Sequence, residues 1–387
     1  MNNKTLSIIL VSVIYLISTA ASYLFFSDSS KASNVVKVAS PTSQNGQITF
    51  DTTLPRTQPC PLNGALYSKQ QREWWEEHRP LGVMIENHEE SRPQSGLSQA
   101  DVIYEAVAEG GIARFLALFY CNTAETIGPV RSARTYFLDW ISEYGSSPLY
   151  AHVGGANTDG PADALSQIGD YGWAEHNDLN QFSIGFPTFW RDYDRLGHSV
   201  ATEHTMYSTT EKLLKFAEKS RKLGVEDEDG TPWTKGFVPY SFKDDAPEQE
   251  RPLTQSIHIE LWDGDPSYAI DWDYEPIANV YKRKNGKEVH TDLNNKKQLI
   301  AKNVVVLTMV ESRANDGYEG NLHLLYKNKG TGKATVFMDG ERINGTWRKD
   351  SRTSRTLLSD DKGSQIKLNR GVIWFEILPT AGIISVK

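Results

Sequence analysis

Cysteine is scarce in this 387-residue chain: Cys60 and Cys121 are the whole supply, too few and too far apart for the paired-cysteine spacing of a structural zinc module. His-Glu-x-x-His and EF-hand patterns are missing, so no metal and no other cofactor is expected. Also missing are the Gly-x-Ser-x-Gly elbow, the phosphate-binding P-loop and the dinucleotide fingerprint, which removes the most familiar hydrolase, nucleotidase and dehydrogenase classes. Positive charge is in deficit. The 41 Lys and Arg against 49 Asp and Glu leave a formal charge of −8, and no long basic run follows a phosphate backbone, so nucleic acid is not an expected partner. No internal repeat is evident.

What is present begins with an uncharged run of hydrophobic and small residues from Leu6 to Phe26, behind the single cation Lys4. Its length suits a membrane-spanning helix, and the charge bias places the C-terminal bulk outside the cytoplasm. A cleaved signal peptide ending near Ser18-Thr19-Ala20 is the alternative. Residues 1–27 therefore read as signal anchor or signal peptide, and the expected location is the cell membrane, single-pass, or secreted if the signal is cleaved. Neither cysteine follows the apolar run, so lipid attachment there is excluded. In an exported chain the two cysteines can pair, or can stay apart as two small hydrophobes.

Residues 28–78, rich in Ser, Thr, Asn, Gln and Pro, read as a tether. A hydrophobic content of 39% suits about two domains, and an acidic, proline-bearing stretch at 225–255 reads as the linker between them. Residues 79–224 mix strand-like runs with helices, an α/β or α+β pattern, and 256–387 read as a mainly β domain. One helix is expected from Ser132, with Ala133, Tyr136, Phe137, Trp140, Ile141 and Tyr144 on one face. A second is expected behind a capping box at Ser208-Thr209-Thr210-Glu211, with Gly224 as its stop. Asp339-Gly340 predicts a hairpin turn.

Chemistry concentrates between residues 102 and 155. Gly110-Gly111 between two β-rich runs predicts a tight hairpin in which Glu109 faces Ile112 and Val107 faces Arg114. That register puts Glu105 and Glu109 on one face, each diagonal to Arg114. The three groups are then either an acid–base pair with its cation or a structural ion-pair network. Gly128-Pro129-Val130-Arg131-Ser132-Ala133-Arg134 adds two arginines at a helix start capped by Ser132, an expected site for phosphate or carboxylate. His152 ends a predicted strand before Gly154-Gly155 and is a candidate proton carrier. His204, just before the capped helix, is a candidate ligand-binding residue, and His88 in Glu86-Asn87-His88 is similar.

Several of these segments together resemble the YerB-like lipoprotein family of bacteria, defined by a domain of unknown function: residues 79–88 (RPLGVMIENH), 92–97 (RPQSGL), 100–119 (ADVIYEAVAEGGIARFLALF), 128–134 (GPVRSAR) and 204–207. Gly332 to Phe337, Gly345-Thr346-Trp347 and Gly371 to Trp374 resemble its C-terminal β domain. The resemblance implies an extracytoplasmic, membrane-associated protein of two domains, and no reaction. Two functions follow from the residues. The first is a non-catalytic envelope protein that holds an anionic wall or lipid-linked ligand, or a protein partner, through Arg131 and Arg134. The second is an enzyme of wall polymers, a phosphotransferase or hydrolase, in which arginines hold the anion while Glu105, Glu109 or His152 moves protons.

Overall fold

The computed structural model describes residues 2, 4–5, 13–20, 41–44, 47–262 and 265–387. Residues 41–387 form one compact unit, and residues 1–40 form another. Residues 13–20 are helical, but most of the apolar run from Leu6 to Phe26 lies outside the described residues. Among the described residues, no helix is long and apolar enough to cross a membrane.

Two large sheets organise the compact unit. In chain order their strands are β1 Leu81–Glu86, β2 Val102–Glu109, β3 Ile112–Phe119, β4 Leu149–His152, β5 Asp178–Asn180, β6 Ser256–Glu260, β7 Ile270–Glu275 and β8 Val280–Asn285. There follow β9 Glu288–Val289, β10 Ile300–Ala301, β11 Asn303–Met309, β12 Gly330–Met338, β13 Glu341–Lys349, β14 Leu357–Asp360, β15 Ile373–Pro379 and β16 Ile383–Val386. The first sheet has ten strands in the order β14-β13-β12-β11-β15-β2-β3-β1-β4-β5. The second has six, ordered β9-β8-β7-β6-β16 with β10 paired to β8.

The ten-stranded sheet draws strands from both the N-terminal and the mainly β C-terminal part. Its junction is the parallel pairing of β15 with β2, Glu376 opposite Glu105. Strands β1 and β15 are buried along their whole length and read as nearly continuous apolar runs, the pattern of a sheet covered on both faces. On one face lies helix α1, Thr135–Ile141, whose Trp140 stacks on Tyr104, which stacks in turn on Phe375 at 4.5 Å. On the other lies the six-stranded sheet, with Trp272 edge-on to Trp374.

Helix α1 begins later than its periodicity predicts. Ser132 does not cap it; Arg134 occupies the N-cap with no side-chain capping bond. The reason lies in the backbone before it: the Arg131 N–H donates to Met84 O and the Ala133 N–H to Gly154 O, both at 2.9 Å. Those bonds hold 131–133 extended between the ends of β1 and β4. The later helix, α2 Thr210–Arg221, is capped by Thr209, which accepts from the Lys212 N–H at 2.9 Å, and it ends with Lys222 left-handed rather than at Gly224. The Asp339-Gly340 hairpin forms as expected, both residues at positive φ between β12 and β13.

Residues 56–78, read as tether, instead belong to the body. Strands Arg56–Pro59 and Leu66–Ser68 pair, and Lys69–Trp75 is a helix with a full Ser68–Gln71 capping box that buries Trp74 and Trp75. A disulfide joins Cys60 to Cys121. Beside it the buried Asp101 carboxylate accepts from the Tyr120 and Cys121 N–H groups, both at 2.8 Å, and from Asn63 Nδ2 at 2.9 Å. Within 225–255, Phe242–Lys243 adds a short parallel pairing to Leu368–Asn369.

Candidate functional site

The hairpin of β2 and β3 turns at Gly110-Gly111, both at positive φ, and Glu109 faces Ile112 as expected. One residue further the register departs from expectation. Val107 pairs with Ala113 and Ala106 with Arg114, because Ala108 is an extra residue that makes a β-bulge. With a side-chain period of two, that single insertion sends Glu105 and Glu109 to opposite faces. Glu109 joins Arg114, while Glu105 turns into the space between the two sheets.

There Glu105 is fully buried. Its Oε2 accepts from Arg283 Nη2 at 2.5 Å and from Trp374 Nε1 at 3.2 Å. Arg283 also bonds His290 Nδ1 at 2.6 Å, and Glu376, neighbour of Glu105 across the parallel pair, accepts from Trp272 Nε1 at 2.9 Å. His152 is likewise occupied. It is buried at the end of β4, with Nε2 on Asp178 Oδ1 at 2.5 Å and Nδ1 on Gly154 O at 2.6 Å. Both ring nitrogens face acceptors. Neither Glu105 nor His152 lines the cleft where the arginines gather, so these two proposed proton carriers stand apart from the site.

That cleft, about 380 Å³, is lined by Glu109, Arg114, Arg131, Ser132 and Arg134 together with Glu86, His88 and His204. Three arginines and two carboxylates form its base. Arg114 Nη2 donates to Glu109 Oε2 at 2.8 Å, and Arg134 holds the other oxygen of the same carboxylate. Arg131 pairs with Glu86, which sits opposite Arg114 in the β1–β3 register. Ser132 contributes its carbonyl, which accepts from Arg114 Nη1 at 3.3 Å. His204 lies in a three-residue turn, Thr202–His204, with Nδ1 3.5 Å from Glu86 Oε2. On the opposite wall Tyr318 stacks on His323 with ring centroids 4.1 Å apart.

Burial opposes ionisation of Glu109, but the Arg114 and Arg134 charges outweigh it and hold its pKa down to about 2. For Glu86 burial again pushes up, and the His204 contact with Arg131 and Arg114 turns the balance, leaving its pKa lowered. A carboxylate with a depressed folded pKa contributes stability that is present above its unfolded value and lost as pH falls. The window for Glu109 runs from about 4.5 down to about 2. Glu109→Gln is therefore expected to remove part of the acid-side decline in urea-unfolding stability. An unchanged slope over that interval would mean that Glu109 is not held by the arginines in solution.

Sequence reasoning passed over Glu86 and the Tyr318–His323 wall. Glu86 had a signal, a carboxylate closing the apolar run Leu81–Ile85 and directly preceding Asn87-His88; the wall residues lie in a loop with none.

The model for "Protein of unknown function (DUF3048) N-terminal domain" matches residues 66–224, and that for its C-terminal domain matches residues 259–375. The chain belongs to this family. Similar to this DUF3048 protein is the Bacillus subtilis (strain 168) protein named "Putative lipoprotein YerB", 26% identical over 313 residues, which span 80% of this chain and 84% of that one. The crystal structure of YerB from Bacillus subtilis matches with a TM-score of 0.67, covering 85% of the DUF3048 chain and 99% of the crystallised one.

Proposed function

We propose that this DUF3048 protein is an extracytoplasmic envelope protein that binds an anionic group, a phosphate or carboxylate of a wall or lipid-linked ligand, in the arginine cleft. The observation that carries the reading is the charge count at its base: Arg114, Arg131 and Arg134 against only Glu86 and Glu109. Arg131 is the arginine offered outward, its side chain 26% exposed where Arg114 and Arg134 are 7% and 8%. Glu203 and Glu319 also line the cleft but are exposed, so water and salt screen them. The alternative, a phosphotransferase or hydrolase of wall polymers, is weakened because Glu105 and His152 lie elsewhere. Glu109, with a pKa of about 2, is far from the range that suits a general acid or base near neutral pH. The lipoprotein name of the Bacillus relative supports the envelope location, with the Leu6 to Phe26 run taking the place of a lipid-bearing cysteine.

Calorimetric titration of the full chain in detergent with phosphorylated and carboxylated wall fragments tests this. Losing one charge-assisted contact in Arg131→Ala is expected to weaken binding about 10–100-fold. Glu86→Gln, which removes a competing carboxylate, is expected to tighten it, and added salt to weaken it. If Arg131→Ala binds as the parent does, the arginines are structural and the ligand reading fails.

A further inference from the structure

The anion-binding reading leaves one cluster on the cleft unused. His88, Glu90 and His204 offer two ring nitrogens and a carboxylate oxygen within 4.8 Å of one another. The imidazoles are stacked, their centroids 4.8 Å apart and their planes 19° from parallel. His204 is buried, its side chain 5% exposed, and lies between two carboxylates: Nδ1 is 3.5 Å from Glu86 Oε2, and Nε2 is 3.7 Å from Glu90 Oε2. Nδ1 makes no well-formed hydrogen bond despite its burial. A buried polar atom in that condition calls for an explanation.

One arrangement accounts for all four side chains. When a histidine binds a metal through one ring nitrogen, a carboxylate behind it commonly takes the N–H of the other, fixing the ring and raising its basicity. Glu86 stands behind His204 in that way, while Glu90 faces the other ring nitrogen and the His88 ring lies against the ring face. His88 Nδ1 accepts from the Glu90 N–H at 3.2 Å, a bond that is exchanged for the ion if Nδ1 is the ligand atom. We propose that His88, Glu90 and His204 bind a divalent transition-metal ion of the zinc type, with Glu86 as the positioning residue for His204. Two imidazoles and one carboxylate suit such an ion better than calcium or magnesium, which take oxygen ligands.

Metal–ligand bonds of about 2.0–2.2 Å require the three donors to draw closer than they stand. Glu90 is exposed, inside the short turn Glu89–Ser91, and the half-buried His88 caps that turn, so the movement falls on these two residues rather than on the buried His204. Three protein ligands leave a coordination position for water or an anionic oxygen. Both histidines line the cleft with Arg131, so that position belongs to the same cleft. The metal site does not depend on the arginines binding an anion.

The test is calorimetric titration of the chelator-stripped full chain with Zn²⁺ alone, in detergent at neutral pH. One saturable site is expected. Glu86→Gln is expected to weaken it about 10–100-fold, as loss of the carboxylate behind a metal-bound histidine does. Because His204→Ala opens a buried position, the deciding variant is His88→Ala with Glu90→Gln, both at accessible positions. It should keep the parent's circular dichroism and metal-free melting temperature and lose the saturable site. With Co²⁺ as probe, the parent should show the visible absorption of a bound ion and the double variant should not. Absence of saturable uptake by the parent, or uptake unchanged in the folded double variant, overturns the proposal.

Discussion

Arg283→Met is expected to lower the unfolding free energy by about 3–5 kcal/mol at neutral pH, because it strips the ion-pair partner from a carboxylate buried between two sheets. Arg283 and Glu105 are both sealed from solvent, with side-chain exposures of 0% and 1%. The second acid beside them behaves differently. Burial, and then the adjacent Glu105 charge, push the pKa of Glu376 well above its ordinary value, so Glu376 holds its proton to higher pH than a free carboxyl does, while Glu105 pairs with Arg283. Glu376→Gln, the neutral isostere, is therefore expected to change stability by less than about 1 kcal/mol. The sign of its pH effect is opposite to that of Glu109. A raised acid contributes stability that is complete below the unfolded value of 4.5 and is lost as pH rises through the folded value, so Glu376→Gln should flatten the decline on the alkaline side. Urea unfolding of both variants across pH decides the matter: a glutamine variant as damaged as the methionine one means that Glu376 is ionised in the fold.

The second large effect is expected at the disulfide. Cys60 and Cys121 are 61 residues apart, and opening a loop of that length costs about 4 kcal/mol in the chain-entropy account. The double variant Cys60→Ala, Cys121→Ala is expected to lose about that much in chemical unfolding. The Asp101 bonds to Tyr120, Cys121 and Asn63 remain in that variant as a second tie between the same segments. A loss below about 1 kcal/mol would show that this polar tie, and not the covalent one, holds residues 56–78 to the body.

Local pattern carried a good part of this architecture. The Gly110-Gly111 and Asp339-Gly340 turns, the apolar face from Tyr136 to Tyr144 and the strand-rich C-terminal part were all legible, because each depends on residues a few positions apart. The errors have equally definite causes. A β-bulge leaves no mark in composition, so Ala108 hid the reversal of Glu105, and with it the separation of the two carboxylates. Ser132 looked like a helix cap because nothing in the sequence shows that Met84 and Gly154 hold its neighbours extended. The polar composition before Arg79 suggested a tether, whereas Cys60, Trp74 and Trp75 draw residues 56–78 of it into the body. Arg131 and Arg134 were recognisable from a seven-residue segment. Glu86, which answers Arg131, is brought there by backbone bonds between β1 and residues 129–131, the Glu86 N–H to Pro129 O and the Arg131 N–H to Met84 O.

The parallel union of β15 with β2 also dictates an order of events. A ribosome delivers β2 and β3 long before β15, so the hairpin must wait with one edge unpaired until almost the whole chain has been made. Contacts so distant in sequence make folding slow, and an open apolar edge during the delay invites mispairing with other chains. Truncation after β14 would leave that edge open permanently, so loss of residues 361–387 should yield an aggregating chain rather than a smaller folded one.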